Sequence, residues 1–253
     1  MSLEILPTRI AGAAENMAVD FLMLQRYQHP EAARFRHYGW RAPAFTFGYS
    51  QKIAFVRGAL PPGETFDLCR RPTGGGIVDH RDDWTFSLVI PRGHALEDMR
   101  ATQSYREVHE CLAAALRIQG VPAVTKSVNS AEAAATALDE STDGVTSAKG
   151  RSVAAAGVCF ERAELHDVIH EVSGQKIAGA AQKRNKRGLL FQGSLWRPAV
   201  GAWDDDKFLE DFVALLATAL RLEANAVPWP DFNEDEIAGL TETYASSEWI
   251  EAR

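Results

Sequence analysis

The sequence predicts an α+β fold, amphipathic helices packed on a sheet around one core, and three observations carry that expectation. Two stretches, Ala14 to Gln28 and Ser104 to Gln119, repeat apolar residues at helical spacing. Runs rich in β-branched and aromatic residues, among them Arg34 to Trp40, Ala44 to Tyr49 and Trp84 to Ile90, stand between turn signals. The 253 residues, 46% hydrophobic and 9% aromatic, suffice for one large core, so a single domain over residues 1–253 is expected.

Taken in order, the first helix places Met17, Phe21, Leu24 and Gln28 on one face, with Leu22 and Met23 widening the stripe that packs on a sheet. Arg34 to Trp40 and Ala44 to Tyr49 follow as strands. Pro43 between them blocks a helix and suggests a hairpin connection. Thr65 to Arg71 is a third strand ending in two arginines. The loop Pro72-Thr73-Gly74-Gly75-Gly76 gives way to Ile77-Val78 and then, after Arg81-Asp82-Asp83, to the apolar strand Trp84 to Ile90. The second helix carries Val108, Cys111, Leu112, Ala115, Leu116 and Ile118 on its apolar side and stops at Gly120 before Val121-Pro122, which makes Cys111 a core residue. Ser127 to Arg151, poor in large apolar groups, is expected to be a flexible insertion. Val153 to Phe160 reads as a small-residue strand ending just after Cys159. Leu165 to Val172 is strand-like, and Ser173-Gly174 closes a hairpin that leaves Lys176 just past the turn. Leu189 to Trp196 reads as a buried strand interrupted at Gly193-Ser194. Asp204 to Leu222 and Asn233 to Ala245 are two helices joined by a linker containing VPWPDF, after which no further domain is expected.

Composition excludes some classes of function. Lys+Arg 27 against Asp+Glu 34 gives a net charge of -7, so the protein as a whole is no electrostatic nucleic-acid binder. The amino terminus lacks a signal pattern, and no apolar run is long enough to span a bilayer, which leads to the expectation of a soluble cytoplasmic protein that binds no membrane. Cys69, Cys111 and Cys159 form neither a CxxC pair nor a disulfide framework, so reduced thiols and no bound metal are expected.

Two stretches carry chemistry. RRPTGGG lies between strands, whereas a phosphate-binding P-loop or a dinucleotide fingerprint opens a helix, so neither motif is present. The stretch can bring backbone N–H groups against a ligand, with Arg70 and Arg71 for an anionic head and Thr73 for a hydrogen bond, or it can be a glycine-rich turn. In QKIAGAAQKRNKRGLLFQGSLW, Lys176 precedes the small residues Gly179, Ala180 and Ala181, which leave room for a ligand against the backbone. Lys176 is placed to polarise a carbonyl or phosphate oxygen, or is an ordinary lysine of a surface hairpin. The basic run Lys183, Arg184, Lys186 and Arg187 follows, a candidate docking patch for acidic partners or a solvated turn.

At this point the chain resembles a known family. RRPTGGGIVDH followed by DDWTFSLV, and KIAGAAQKR followed by QGS, resemble the signature segments of the biotin/lipoate protein ligase family, in its lipoate ligase and octanoyltransferase branch. ENMAVD, WRAPAFTFGYSQ and YASSEWIEAR extend the likeness from about Glu15 to Arg253, apart from Ser127 to Arg151. The resemblance implies the catalytic-domain fold shared with class II aminoacyl-tRNA synthetases and biotin ligases, a large mixed sheet with packed helices. It also implies an acyl substrate held between the glycine loop (Arg70, Arg71, Thr73, Gly74, Gly75, Gly76, His80) and the lysine hairpin (Gly179, Ala180, Gln192, Gly193), with Lys176 as the active-site lysine.

Two chemistries live in that family. Lipoate ligases use ATP and Mg and pass through an acyl-adenylate. Octanoyltransferases need no cofactor: a cysteine accepts octanoate from acyl carrier protein as a thioester and yields it to a lysine of a lipoyl domain, that of the glycine cleavage H protein or of a dehydrogenase E2. Cys159-Phe160 matches the CF segment of the transferases, and the chain ends soon after the EW motif where many ligases continue, so the resemblance favours the transferase. A free thiol is a few per cent thiolate at neutral pH and a nearby ammonium raises that fraction, which suits Cys159 as nucleophile; the alternative is a buried core cysteine. Two departures stand out. Gln192 occupies the place of the family's histidine before GS, which leaves His80 as a candidate acid or base, and Ala180 replaces a usual serine. A non-catalytic relative that binds acyl groups or lipoyl domains is the third reading.

Overall fold

The structure, a computed structural model, describes residues 1–127 and 163–252. Cys159, the expected strand around it and nearly all of the expected insertion lie outside the described residues.

In chain order, β1 (Ser2–Ile5) and β2 (Arg9–Ala11) precede α1 (Ala13–Gln25), and β3 (Ala33–Trp40) and β4 (Ala44–Phe47) lead to α2 (Ile53–Ala59). Next come β5 (Asp67–Arg70), β6 (Ile77–Asp79), β7 (Asp83–Pro91), α3 (Ala95–Asp98), α4 (Ala101–Ile118) and β8 (Ala123–Thr125). The chain resumes with β9 (Val168–His170), β10 (Lys176–Asn185), β11 (Gly188–Trp196), α5 (Asp205–Leu220), β12 (Glu223–Ala226), α6 (Glu234–Ala245) and α7 (Ser247–Ile250). Among the described residues the main sheet runs β12-β1-β3-β7-β11-β10-β9-β8, with β2 also on β3. It is mixed: β12, β1, β2 and β3 pair in parallel, and every pairing from β3 to β8 is antiparallel. The expected α+β class and mixed sheet are both present. No helix among the described residues is long and apolar enough to cross a membrane.

Period-two alternation sorts the two faces of this sheet. On β7, Trp84, Phe86, Leu88 and Ile90 join Phe191 and Leu195 of β11 in a core closed by α4 and α5. Val89 and Leu190 turn the other way, onto Val19, Leu22 and Met23 of α1. Each such side chain contributes about 1.5–3 kcal/mol when fully buried. Thr85, Ser87, Gln192 and Ser194 share the α1 side at buried positions, so that side is polar where it meets the site.

Two expectations are corrected. Pro43 does not join β3 and β4 into a hairpin: β4 leaves the main sheet and forms a second sheet, in the order β5-β4-β6. Proline ends a strand without dictating where the next one pairs. Gly193-Ser194 does not interrupt β11 either, because both residues keep their ladder partners on β7 and β10. Gly193 is there for space, since a Cβ on it would lie 2.2 Å from Phe86 Cε1. Gly193→Ala is therefore expected to overpack the core and cost about 1–3 kcal/mol, read from urea unfolding; a variant as stable as the parent would show that the Phe86 ring can move aside.

Candidate active site

The β9–β10 hairpin turns at Gly174, whose φ of +70° suits a residue without a side chain. An unbroken β10 would put Lys176 on the face of Ala178, toward the core. Instead the register with β9 shifts between these two residues, and the ammonium lies beside Gly179. Lys176 is 7% exposed and its Nζ lies 2.7 Å from Asp167 Oδ2, itself buried. Asp167 Oδ2 also accepts the Glu164 N–H at 2.7 Å, and Oδ1 accepts the Tyr105 hydroxyl at 2.5 Å. Tyr105 in turn accepts the Ala180 N–H at 3.0 Å. The lysine is thus aimed by a carboxylate and a phenol from outside its own strand. A Cβ at position 179 would come within 2.8 Å of Nζ and 3.0 Å of Asp167 Oδ1, so glycine is what leaves the pair its room.

One turn beyond Tyr105 on α4, His109 lies against the phenol ring with centroids 4.0 Å apart. Its Nδ1 is 2.8 Å from the His166 carbonyl, which can only accept, so the proton is on Nδ1. Burial pushes this imidazole down to about 4, against an opposing pull from Asp167.

The two arginines ending β5 diverge. Arg70 is corrected as a ligand-facing cation: fully buried, it donates to the carbonyls of Tyr49, Gln51, Trp249 and Ile250 and ties α7 to the small sheet. Arg71 turns to the site. It donates to Thr46 Oγ1 at 2.8 Å and to the carbonyls of Gly74 and Gly76 at 2.9 Å, so it shapes the glycine loop from beneath. Gly75 adopts φ +90°, and Gly48 lets the loop approach so closely that a Cβ there would meet Gly75 O at 2.1 Å. Thr73, 1% exposed, donates to Gln192 Oε1 at 2.7 Å.

Gln192 joins the loop to the core. Its Nε2 donates to Asp20 Oδ2 at 2.6 Å, while Asp20 Oδ1 accepts Ser87 Oγ at 2.5 Å and pairs with Arg36 at 2.7 Å. His80 is held on both nitrogens, by Asp83 and by Thr46, each at 2.7 Å.

Between loop and hairpin lies a cleft of about 500 Å³, counting space open to solvent. Of the expected site residues, Arg71, Gly75, His80, Lys176, Gly179, Ala180, Gln192 and Gly193 line it, while Arg70, Thr73, Gly74 and Gly76 do not. Met17, Trp40 and Val78 supply apolar wall. Asp20, Arg36, Tyr105 and Asp167 were not expected; only Asp20, a charge within the apolar stretch of α1, carried a signal in the sequence. Cys69 and Cys111 are buried away from the cleft, and burial pushes their thiols up to about 12 and about 11, so neither suits a nucleophile. The basic run is divided: Lys183 reaches the Pro72 carbonyl and the Tyr49 ring, whereas Arg184 reaches Ser104 and the Glu97 carbonyl. Among the described residues no group of three or more His, Cys, Asp and Glu is placed to hold a metal ion.

Comparison with known proteins agrees with this fold. The sequence model of the lipoyl protein ligase A/B catalytic domain matches residues 12–197. The octanoyltransferase LipM of Oceanobacillus iheyensis is 32% identical over 184 residues, 71% of this chain and 58% of the relative, so the match spans less than two thirds of that curated protein. The solved bi-partite lipoate protein ligase of Thermoplasma acidophilum, studied with its E2 lipoyl domain, superposes with a TM-score of 0.66 at 17% identity, over 100% of this chain and 98% of that one. A lipoate-protein ligase A bound with ATP superposes with a TM-score of 0.66 at 18% identity, over 99% and 98% of the two chains. At such identities the two structures speak for the fold.

His109 makes this region acid-sensitive. Its folded value near 4 lies below the ordinary 6.5, so the unfolded chain binds a proton that the folded one refuses. Stability contributed above pH 6.5 is expected to fall by on the order of 3 kcal/mol as pH drops toward 4. In His109→Asn, which keeps a donor near Nδ1, urea unfolding across that range should lack this component; an unchanged pH dependence would assign the effect elsewhere.

Proposed function

The chain belongs to the lipoyl protein ligase A/B catalytic-domain family, and on that premise we propose that it is an acyltransferase of protein lipoylation. It takes an octanoyl group from acyl carrier protein onto Cys159 and passes it to a lysine of a lipoyl domain. One observation carries the reading: Lys176, buried and fixed by Asp167, faces a cleft with apolar walls at a point where Gly179 leaves the backbone bare.

In the first step the Cys159 thiolate attacks the carrier's thioester carbon, the carrier sulfur leaves with the electron pair, and an acyl-enzyme thioester forms. In the second, the acceptor amine attacks that carbon and the Cys159 sulfur leaves. The Lys176 ammonium donates to the acyl oxygen as it gains charge, and because Asp167 and Tyr105 already hold it, little reorganisation is needed. Methylenes of the acyl chain against the apolar wall contribute about 0.8 kcal/mol each. What supports Cys159, which lies outside the described residues, is its position in the CF segment ahead of Lys176 and the octanoyltransferase named among the relatives.

The ligase chemistry of the same family would need ATP and magnesium. Among the described residues, the cations lining the cleft are Lys176, paired with Asp167, and Arg71, which donates to Thr46 and two loop carbonyls. The acyl-transfer reading routes no step through a triphosphate.

Incubation with octanoyl carrier protein should add one octanoyl mass to the protein, absent in Cys159→Ala and retained in Cys69→Ser and Cys111→Ser. Undiminished transfer by Cys159→Ala, or ATP–pyrophosphate exchange driven by free lipoate, would overturn the reading. Gly179→Ala should leave acylation detectable but slow transfer about a hundredfold, the scale of a misplaced catalytic group; a near-parental rate would mean that the position of Lys176 is not limiting.

A further inference from the structure

The basic run after Lys176 meets two further cations at one edge of the molecule. Lys186 and Arg187 form the turn between Asn185 and Gly188, which pair with each other, and Gly188 also pairs with Pro91 at the end of β7. Arg92 follows Pro91, so the ladder brings it to the side of that turn. Arg184 donates to the Glu97 carbonyl and, at 3.0 Å, to Ser104 Oγ, while the Ser104 N–H donates to the Arg100 carbonyl at 3.0 Å. Segments 92–100 and 184–187 thus share an edge. They hold five cations, Arg92, Arg100, Arg184, Lys186 and Arg187, against two acids, Glu97 and Asp98.

Pairing sets these cations apart from others on the surface. Arg26, Arg41, Arg57, Arg81, Arg106 and Lys207 each face a carboxylate at 2.6–3.2 Å. All five cations of the edge are exposed, and among the described residues none of them has a carboxylate partner. In a chain of net charge -7 acids are in surplus, so an edge whose cations go without them is complementary to an acidic surface from outside. Charges more than about 10 Å away are largely screened in 0.1 M salt. The edge therefore attracts such a surface in spite of the overall charge.

Reach selects between the two protein partners of the proposed reaction. Arg184 lies five residues along β10 from Gly179, beside which the Lys176 ammonium sits. At about 3.3 Å per residue that is about 17 Å. An acceptor lysine has only a four-carbon stem, so its domain must sit over the cleft itself. A thioester borne on a long flexible arm can enter the cleft while its protein rests on the basic edge. We propose that Arg92, Arg100, Arg184, Lys186 and Arg187 form the docking surface for an acidic acyl carrier protein, the donor of the acyl group. This rests on the acyl-transfer reading above.

Binding is measured by fluorescence anisotropy of a labelled holo acyl carrier protein, and loading from a small octanoyl thioester is followed by mass in the same preparations. The parent should bind the carrier, more weakly as salt rises. Reversing three exposed charges together, Arg92→Glu, Lys186→Glu and Arg187→Glu, is expected to weaken binding at low salt about tenfold or more and to flatten its salt dependence. Loading of this variant from the small thioester should stay within a few-fold of the parent. A control with the same change of net charge, Arg26→Glu, Arg41→Glu and Lys207→Glu, should bind the carrier nearly as the parent does. Equal weakening in both triple variants would make the effect one of overall charge and overturn the proposal. Parental affinity in the first variant, or no binding by the parent, would overturn it too. So would a lipoyl domain that loses affinity for the first variant while the carrier does not. Failure of the parent to load from either donor would sink the acyl-transfer reading alone, because docking stands or falls with the binding curves.

Discussion

The buried ion pair between Asp20 of α1 and Arg36 of β3 is the constraint on which the site depends. Both side chains are removed from water, at 0% and 1% exposure. An ion pair in that setting adds little net stability, but removing one partner strands the other at a cost of about 3–5 kcal/mol. Its effect is on register. Asp20 also receives Ser87 from β7 and Gln192 from β11, so helix and sheet dock in the one arrangement that meets all these donors. Because Gln192 gives its amide to Asp20, its carbonyl is left for Thr73, and the glycine loop takes its place from the core outward.

What could be read from the sequence were features set by near neighbours. The α1 and α4 helices, the glycine loop and the turn before Lys176 each follow from spacing or from residues with special backbone freedom, and the structure contains them within a few positions of expectation. Long-range partners were not legible. Nothing within the sequence around Lys176 marks Asp167 and Tyr105 as its holders, because the phenol comes from α4, far away in the chain. Nor does Pro43 announce that β4 departs for a second sheet.

Adjacent charges show a related limit. Arg70 and Arg71 look equivalent as letters, yet alternation along an extended chain sends them to opposite sides, one into carbonyls beside α7 and one under the glycine loop. Lys183 and Arg184 are split by the same geometry, toward the loop and toward α4. A charge run in a strand is two half-patches, and a surface field inferred from composition must be divided before it is assigned to a partner.

Strand β1 is flanked on one side by β3 and on the other by β12, parallel to both. Its second neighbour is encoded more than two hundred residues later, beyond the 12–197 span that the family model covers. As the polypeptide emerges from a ribosome, β1 can meet β3 early, but its outer row of amide and carbonyl groups stays uncovered until Glu223–Ala226 has been made. Until then the nascent protein carries an open sheet edge, the kind of surface that recruits stray strands. Closure of that edge waits until the whole 12–197 span has been made.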